Sequence, residues 1–433
     1  MPAETLPALR SLVSPYTGVV RVAGELMRGA DDSRVVNVSC LLADGEPTVG
    51  PAIVDHAGSG ATDADTALAA ALGEAAERYA AAFVPESRLV RASARELGRA
   101  AVAPERFALC HELQYGLPGF PLARFDADTT VAWVDGIELP GGEPALLPAQ
   151  LVFLEPPSGE PRIAVQTSNG LACAGSFDEA VLSALLELVE RDAFMIVWAN
   201  RLSLPRLDWS GDARLVELDR RYFAPAGLEY AAVDLSCFLD VPVVLGVVRG
   251  PADERGALGI GAGCARTAHE AWWKALCEAF AVRRWARDTA LEHDGDLPVD
   301  EWDVRSFEDH VRWWADPARA DRAAFLDSSP ERRPIERVPP LAGGDAWSLV
   351  EAVCMRLGRR GLVAYAADVT SPDVREAGLW VVRAVAPELC ALDVVHGARY
   401  LGARRLYEAP VAAGLREQPL GLRDLNPDPH PFP

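Results

Sequence analysis

The sequence predicts an α/β protein in which short strands accompany three related helices, and three observations carry that expectation. Half of the 433 residues are hydrophobic, enough for a substantial core. Short β-like runs at 18–23, 34–42, 130–134 and 361–368 are punctuated by glycine and proline. Three segments of helical periodicity share an Ala-Leu-x-Glu core.

In chain order, residues 1–50 form a lead-in of strands that closes on the turn Gly45-Glu46-Pro47. The first helical segment, DADTALAAALGEAAERYAAAF, contains Ala71-Leu72-Gly73-Glu74. Residues 105–165, rich in proline and glycine, read as strands and loops. The second helix, DEAVLSALLELVERDAFMIVW, contains Ala184-Leu185-Leu186-Glu187, and the third, AHEAWWKALCEAFAVRRWA, contains Ala275-Leu276-Cys277-Glu278. The stretch 290–345, dense in charge and proline, reads as an exposed insertion. A strand at 361–368 and a helix at 373–385 follow, the helix opened by Ser371-Pro372 because proline suits a first turn. The tail from 408 has little periodicity. No low-complexity linker interrupts the chain, so residues 1–433 read as a single domain.

Composition removes several classes of function. A net charge of −21 repels phosphate backbones and anionic lipid headgroups, so neither a nucleic acid nor a membrane is an expected partner. Lys274 is the only lysine, which excludes a GxxxxGK phosphate loop, and a nucleotide must be held by other means. The eight cysteines are scattered without a CxxC pair, as expected of buried thiols in a reducing compartment. There is no basic-then-apolar start, and the longest apolar run, Val241 to Val248, is too short to span a bilayer. The expected location is cytoplasmic.

The chemistry is concentrated in acidic stripes. The first two helices carry ExxER as Glu74, Glu77, Arg78 and as Glu187, Glu190, Arg191. At roughly 100° per residue, Glu179, Ser183, Glu187, Glu190 and Arg191 fall within about 120°, and leucine and valine cover most of the remaining surface. Burying carboxylates so costs several kcal/mol unless a positive charge compensates. Two converging ExxE pairs offer hard oxygen ligands suited to Mg²⁺. A single ExxER is ordinarily a solvated Glu/Arg pair; two copies in similar apolar settings favour the metal.

Other motifs fail on inspection. His269-Glu270 begins HEAWW rather than HExxH, so His269 is an ordinary residue. Gly259, Gly261 and Gly263 lack the continuation of a dinucleotide loop and read as a tight turn. There is no GxSxG elbow. The tryptophans Trp272, Trp273, Trp285, Trp313 and Trp314 read as core.

Taken together, SGATDADTALAAALGEAAER at 59–78, TSNGLACAGSFDEAVLSALLELVERDAF at 167–194, ALCEAF at 275–280, ARYLGARRLYEAP at 398–410 and the terminal PHPFP resemble the YcaO family over nearly the whole chain, and within it the azoline-forming, SagD-like branch. The resemblance implies mixed sheets with the three helices around a central ATP cleft. It implies Glu74, Glu77, Glu187 and Glu190 as Mg²⁺ ligands, with Ser14, Arg78, Asn169, Glu179, Arg191, Glu278 and Arg283 on the ATP. Two positions depart from the family pattern: Ala281 stands for its usual glutamine, and Gly58-Ser59-Gly60 for its GKG.

The activity so implied is ATP-dependent cyclodehydration. A Cys, Ser or Thr side chain of a ribosomal precursor peptide adds to the preceding carbonyl, and ATP phosphorylates the oxygen so that phosphate leaves and an azoline remains. No histidine or carboxylate is singled out by spacing as the base; the PxPxP ending of ring-forming relatives makes the terminal carboxylate of Pro433 the catalytic candidate, packed by Phe432. A separate ThiF-like, leader-binding protein is the implied partner, and a homodimer is left open. Thioamidation, amidine formation, ATP-dependent peptide cleavage and a silent scaffold subunit stand as alternatives.

Overall fold

The computed structural model describes residues 5–43, 56–251, 254–292 and 297–432. The Gly45-Glu46-Pro47 turn and Pro433 lie outside the described residues. The chain divides into two compact units that share it in alternation. Unit 1 takes Met1–Leu26, Val36–Leu188 and Gly343–Leu389; unit 2 takes Met27–Val35, Val189–Ala342 and Cys390–Pro433. Neither is a continuous stretch of sequence, which is why no linker marks a boundary.

Unit 1 contains two sheets. Val20–Glu25, Val36–Leu42 and His56–Ala61 form an antiparallel three-stranded sheet. The first motif helix, Ala64–Ala82, packs on it and on the strand Leu171–Ala174. Asp63 starts this helix by accepting the Thr66 N–H at 2.9 Å, and its buried face is almost all alanine, which brings the backbone close to the strands. A six-stranded sheet runs Val90–Ser93, Thr130–Leu139, Ala364–Asp368, Trp380–Val385, Leu171–Ala174, with Pro144–Pro148 paired on Thr130–Leu139.

The helix expected at 373–385 is not formed. Pro372–Glu376 makes one turn, Gly378 takes a left-handed φ of 81°, and Trp380–Val385 is a strand antiparallel to Ala364–Asp368. The β-branched residues of WVVRAV suit a strand buried on both faces, and glycine supplies the stop. Proline set the helix start correctly but said nothing about its length.

Unit 2 is built on a five-stranded sheet in the order Leu258–Cys264, Val243–Arg249, Glu229–Asp234, Arg206–Asp208, Arg332–Pro334. The Gly259, Gly261, Gly263 run is a strand and not the expected turn. Its glycines face the third motif helix, Ala268–Glu292: a Cβ on Gly261 would stand 2.5 Å from Cβ of Glu278. On the neighbouring strand a Cβ on Gly246 would stand 2.5 Å from the Ala275 carbonyl. Glycine at alternate positions therefore lets helix and sheet touch backbone to backbone.

The stretch 290–345 is not a simple exposed insertion. It holds the helix Phe307–Trp314, whose His310, Val311, Trp313 and Trp314 are buried. Its solvated charges, Glu308 and Asp309 among them, hid an amphipathic helix. Trp272 is fully buried and Trp285 is 39% exposed, so the tryptophan set is mostly core. All eight cysteines are free thiols and seven are buried. Among the described residues no helix is long and apolar enough to cross a membrane. After the helix Arg405–Ala412 the tail has little regular structure, yet Leu425, Asn426, His430 and Phe432 are buried.

Close packing at the glycine strand makes a testable demand. Gly261→Ala should cost about 2 kcal/mol or more and lower the thermal midpoint, because the helix must move to admit the methyl. Gly344→Ala, where an added Cβ meets nothing within 4 Å, should melt like the parent chain.

Candidate functional site

The motif-helix glutamates are oriented by strand amides. In unit 1, Glu74 accepts the Gly58 N–H at 2.9 Å and is bonded to Arg78 one turn on. Glu77 accepts the Cys173 N–H at 2.7 Å. In unit 2, Glu190 accepts the Cys264 N–H at 2.8 Å, and Glu278 accepts the Ala262 N–H at 2.7 Å. Glu74 and Glu278 stand at the same offset of 16 residues from their amides. Cys173 and Cys264 likewise stand equally far ahead of the Ala-Leu-x-Glu glutamate of the helix that follows.

The second motif helix, Phe177–Asn200, opens at Ser176, whose hydroxyl accepts the Glu179 N–H at 3.3 Å. Glu179 sits half-buried in the first turn. Ser183 is exposed, Glu187 half-buried and Glu190 buried, while Val181, Ala184, Leu185 and Val189 are enclosed. The narrow acidic stripe expected from the sequence is therefore present on this helix.

Electrostatics distinguishes the carboxylates. Burial pushes the Glu77 carboxyl well above its usual range; the Cys173 N–H and Arg78 oppose this, and repulsion from Glu74 and Glu187 adds to it. Two other carboxylates of unit 1 thus repel that of Glu77, and Arg78 offsets them in part. In unit 2, Arg191 lies 3.4 Å from Glu190 and also covers the ring of Phe432, its guanidinium 4.1 Å from the centroid.

The remaining residues expected at the nucleotide fall in varied settings. Arg283 is almost fully buried and bonded to Asp31, which Arg287 also meets at 2.6 Å. Burial works to raise the Asp31 carboxyl, but the bond to Arg283 and the charges of Arg283 and Arg287 together hold it below its ordinary value. The Ser14 hydroxyl accepts the Thr17 N–H at 3.3 Å and so closes a turn. Asn169 precedes Gly170, whose φ of 77° brings the loop so near the Ala384 carbonyl that a Cβ would stand 2.7 Å from it.

Sequence reasoning missed Arg383, the residue that fixes this loop. Buried at 3% exposure, it donates to the Val152 carbonyl at 2.9 Å, to Thr167 O at 2.5 Å and to Asn169 O. Its signal was an arginine inside the apolar run WVVRAV. The receptors of the tail, Trp198, His310 and Trp314, were missed as well. Phe432, the last described residue, packs 4.9 Å from the Phe194 ring and under Arg191, which lies 3.4 Å from Glu190. Pro433 itself is outside the described residues.

The sequence profile of the YcaO cyclodehydratases, described as binding ATP and Mg²⁺, matches residues 57–390. The chain belongs to the YcaO family. An uncharacterized protein of Methanothermobacter thermautotrophicus is 31% identical over 249 residues, 57% of this chain and 60% of that protein. A heterocyclase solved in complex with substrate and cofactor is 26% identical, with a TM-score of 0.82 over the whole of this chain and 57% of the other. YcaO from Methanopyrus kandleri, solved with AMPPCP and Mg²⁺, shares the fold at a TM-score of 0.65, 20% identity and 90% coverage of this chain and 91% of that one. The chain thus spans about 60% of the first of these relatives.

The residues present suit the nucleotide and metal of the family. The oxygens gathered around Glu77 are carboxylate oxygens, hard donors of the kind that match Mg²⁺, and their mutual repulsion is an imbalance a divalent cation would correct. Folded-state Glu77 titrates above its unfolded value, so its contribution to stability is present at low pH and is lost as pH rises through the folded value. The metal-free YcaO protein should therefore lose stability above the ordinary carboxylate range, and Glu77→Gln should remove that loss. Calorimetry in buffers of different ionisation enthalpy should show proton release when Mg²⁺ and a nucleotide bind, abolished in the same variant.

Proposed function

We propose that this YcaO protein is an ATP-dependent cyclodehydratase that converts Cys, Ser or Thr of a ribosomally made precursor peptide to thiazoline or oxazoline. The observation that carries the reading is the anchored tail: Phe432 is clasped by Phe194 and Arg191, and Arg191 adjoins Glu190. A tail fastened at Phe432, next to the arginine that adjoins Glu190, supports the proposed catalytic role of the Pro433 carboxylate.

Glu74, Glu77, Glu187 and Glu190 would hold Mg²⁺, with Arg78, Arg191, Glu278 and Arg283 nearby on the phosphates, and Ser14, Asn169 and Glu179 shaping the rest of the nucleotide site. ATP, when bound, supplies the phosphoryl group that turns the peptide oxygen into a leaving group. The residues of the chain do the remaining work. Arginine guanidinium groups counter the negative charge that develops, and the carboxylates fix the geometry, which supplies most of the acceleration in phosphoryl transfer. The terminal carboxylate of Pro433 takes the proton of the attacking thiol or hydroxyl; in a partly dehydrated site its basicity rises toward the working range. Leader recognition is assigned to a ThiF-like partner.

Incubating the protein with that partner, the precursor peptide and Mg-ATP should remove one water per ring, read by mass. An exchange of oxygen for sulfur would redirect the reading to thioamidation. Glu187→Gln, nearly unchanged in volume, should fold normally and lose ATP turnover and ring formation together. Deleting Phe432 and Pro433 should cripple ring formation while nucleotide binding persists.

A further inference from the structure

The tail residues Pro427, Pro429, Pro431 and Pro433 have no backbone N–H, so the carbonyls are the main handle by which the segment can be held. Its receptor must therefore be a set of donors, and unit 2 provides one. Trp198 Nε1 donates to the Asp428 carbonyl at 3.2 Å and Trp314 Nε1 to the Pro429 carbonyl at 2.9 Å. His310 Nδ1 lies 2.8 Å from the His430 carbonyl. His310 and Trp314 are one turn apart on the helix Phe307–Trp314, which a reciprocal Ser306–Asp309 cap fixes at its start. Three successive carbonyls thus face three aromatic ring nitrogens, two indole N–H groups and His310 Nδ1.

The His430 side chain completes the fastening. Its ring stacks on that of His310 at 3.9 Å and 13°, its Nε2 faces the Asp393 carbonyl at 2.5 Å, and its Nδ1 accepts the Phe432 N–H at 3.3 Å. His310, Asp393 and His430 bring potential metal-ligating atoms within 4.8 Å of one another. They are not a metal site. All four ring nitrogens already face main-chain groups, and stacked rings direct their lone pairs along parallel planes that do not converge. His310 is fully buried and burial pushes its pKa down to about 4, so the neutral ring carries one N–H. Two carbonyls compete for it, His430 O at Nδ1 and Val394 O at Nε2, the latter 3.0 Å away.

We propose that His310 is a positioning residue whose Nδ1–H holds the His430 carbonyl and thereby fixes Phe432 against Arg191, with Trp314 as the second point of the same clamp. The role rests on the proposed catalytic use of the tail, but the clamp itself is a physical property of the chain that can be measured without catalysis.

The test uses the amide geometry of two near-isosteres. The nitrogen of asparagine reaches the place of Nδ1, and that of glutamine the place of Nε2. In the full chain, His310→Gln and Trp314→Phe should speed hydrogen exchange at the amides of His430 and Phe432 about tenfold each, the loss of one well-formed hydrogen bond. His310→Asn should exchange like the parent. With partner, peptide and Mg-ATP, kcat for ring formation should fall about tenfold in the first two and recover in His310→Asn, with KM for the peptide unchanged. Unchanged exchange in His310→Gln, or protection kept by glutamine and lost by asparagine, would overturn the clamp. Raised exchange together with undiminished ring formation would leave the clamp standing and sink the catalytic use of the tail.

Discussion

Strand amides that grip helix carboxylates are the constraint on which the rest depends. Glu74, Glu77, Glu190 and Glu278 each give one oxygen to an N–H at Gly58, Cys173, Cys264 or Ala262. A carboxylate so held points in a fixed direction before any ligand arrives, and charge-assisted bonds of this kind are stronger than neutral ones. Reach sets the condition. A glutamate side chain meets a strand amide only when its helix lies directly on the sheet, and two compositions achieve this. The first motif helix presents alanines to its sheet, whereas under the third, which presents Ala271, Ala275 and Ala279, the sheet itself also recedes to glycine. Small residues on one partner or the other are the structural counterpart of the acidic motif.

Arginine takes almost the whole cationic task in this chain, and the geometry explains its fitness. Arg383 braces three carbonyls in unit 1. In unit 2, Arg249 spans both oxygens of Asp327 and the carbonyls of Ala320 and Ala323. Arg405 pairs with both oxygens of the fully buried Asp192. A planar fork with five donors can satisfy several acceptors at once where an ammonium meets them singly. These three arginines serve as internal fasteners in a chain of strong net negative charge, while others such as Arg95, Arg220 and Arg404 stay in exposed pairs.

The parts legible in sequence were those written in local periodicity. The three motif helices, the acidic stripe from Glu179 to Arg191 and the strands at 20–25 and 36–42 follow from repeats of apolar residues over one or two turns. What escaped depends on partners distant in sequence. Gly259, Gly261 and Gly263 resemble a turn until a helix is laid against them. His310 looks like one more residue of a charged stretch until the tail arrives, 120 residues later, to stack on it. Arg383 interrupts the apolar run WVVRAV, an anomaly visible in the sequence, but its acceptors, among them the loop at Asn169, are set by the fold. Residues 373–385 fell between: helix start and strand both have local signals, and the left-handed Gly378 decides where one yields to the other.

The interleaving of the two units orders events during synthesis. In the six-stranded sheet the central pair, Ala364–Asp368 and Trp380–Val385, is the last to leave the ribosome, while Leu171–Ala174, which pairs only with Trp380–Val385 in that sheet, emerges long before. The amide of Cys173 that orients Glu77 belongs to that waiting strand. Until the late hairpin inserts, the nascent chain carries an open sheet edge, an invitation to chaperones or to mispairing. Vectorial folding from the N-terminus is therefore closed to unit 1: the strand that orients Glu77 gains its sheet partner only once Trp380–Val385 has been made, so a product truncated before it would lack that support.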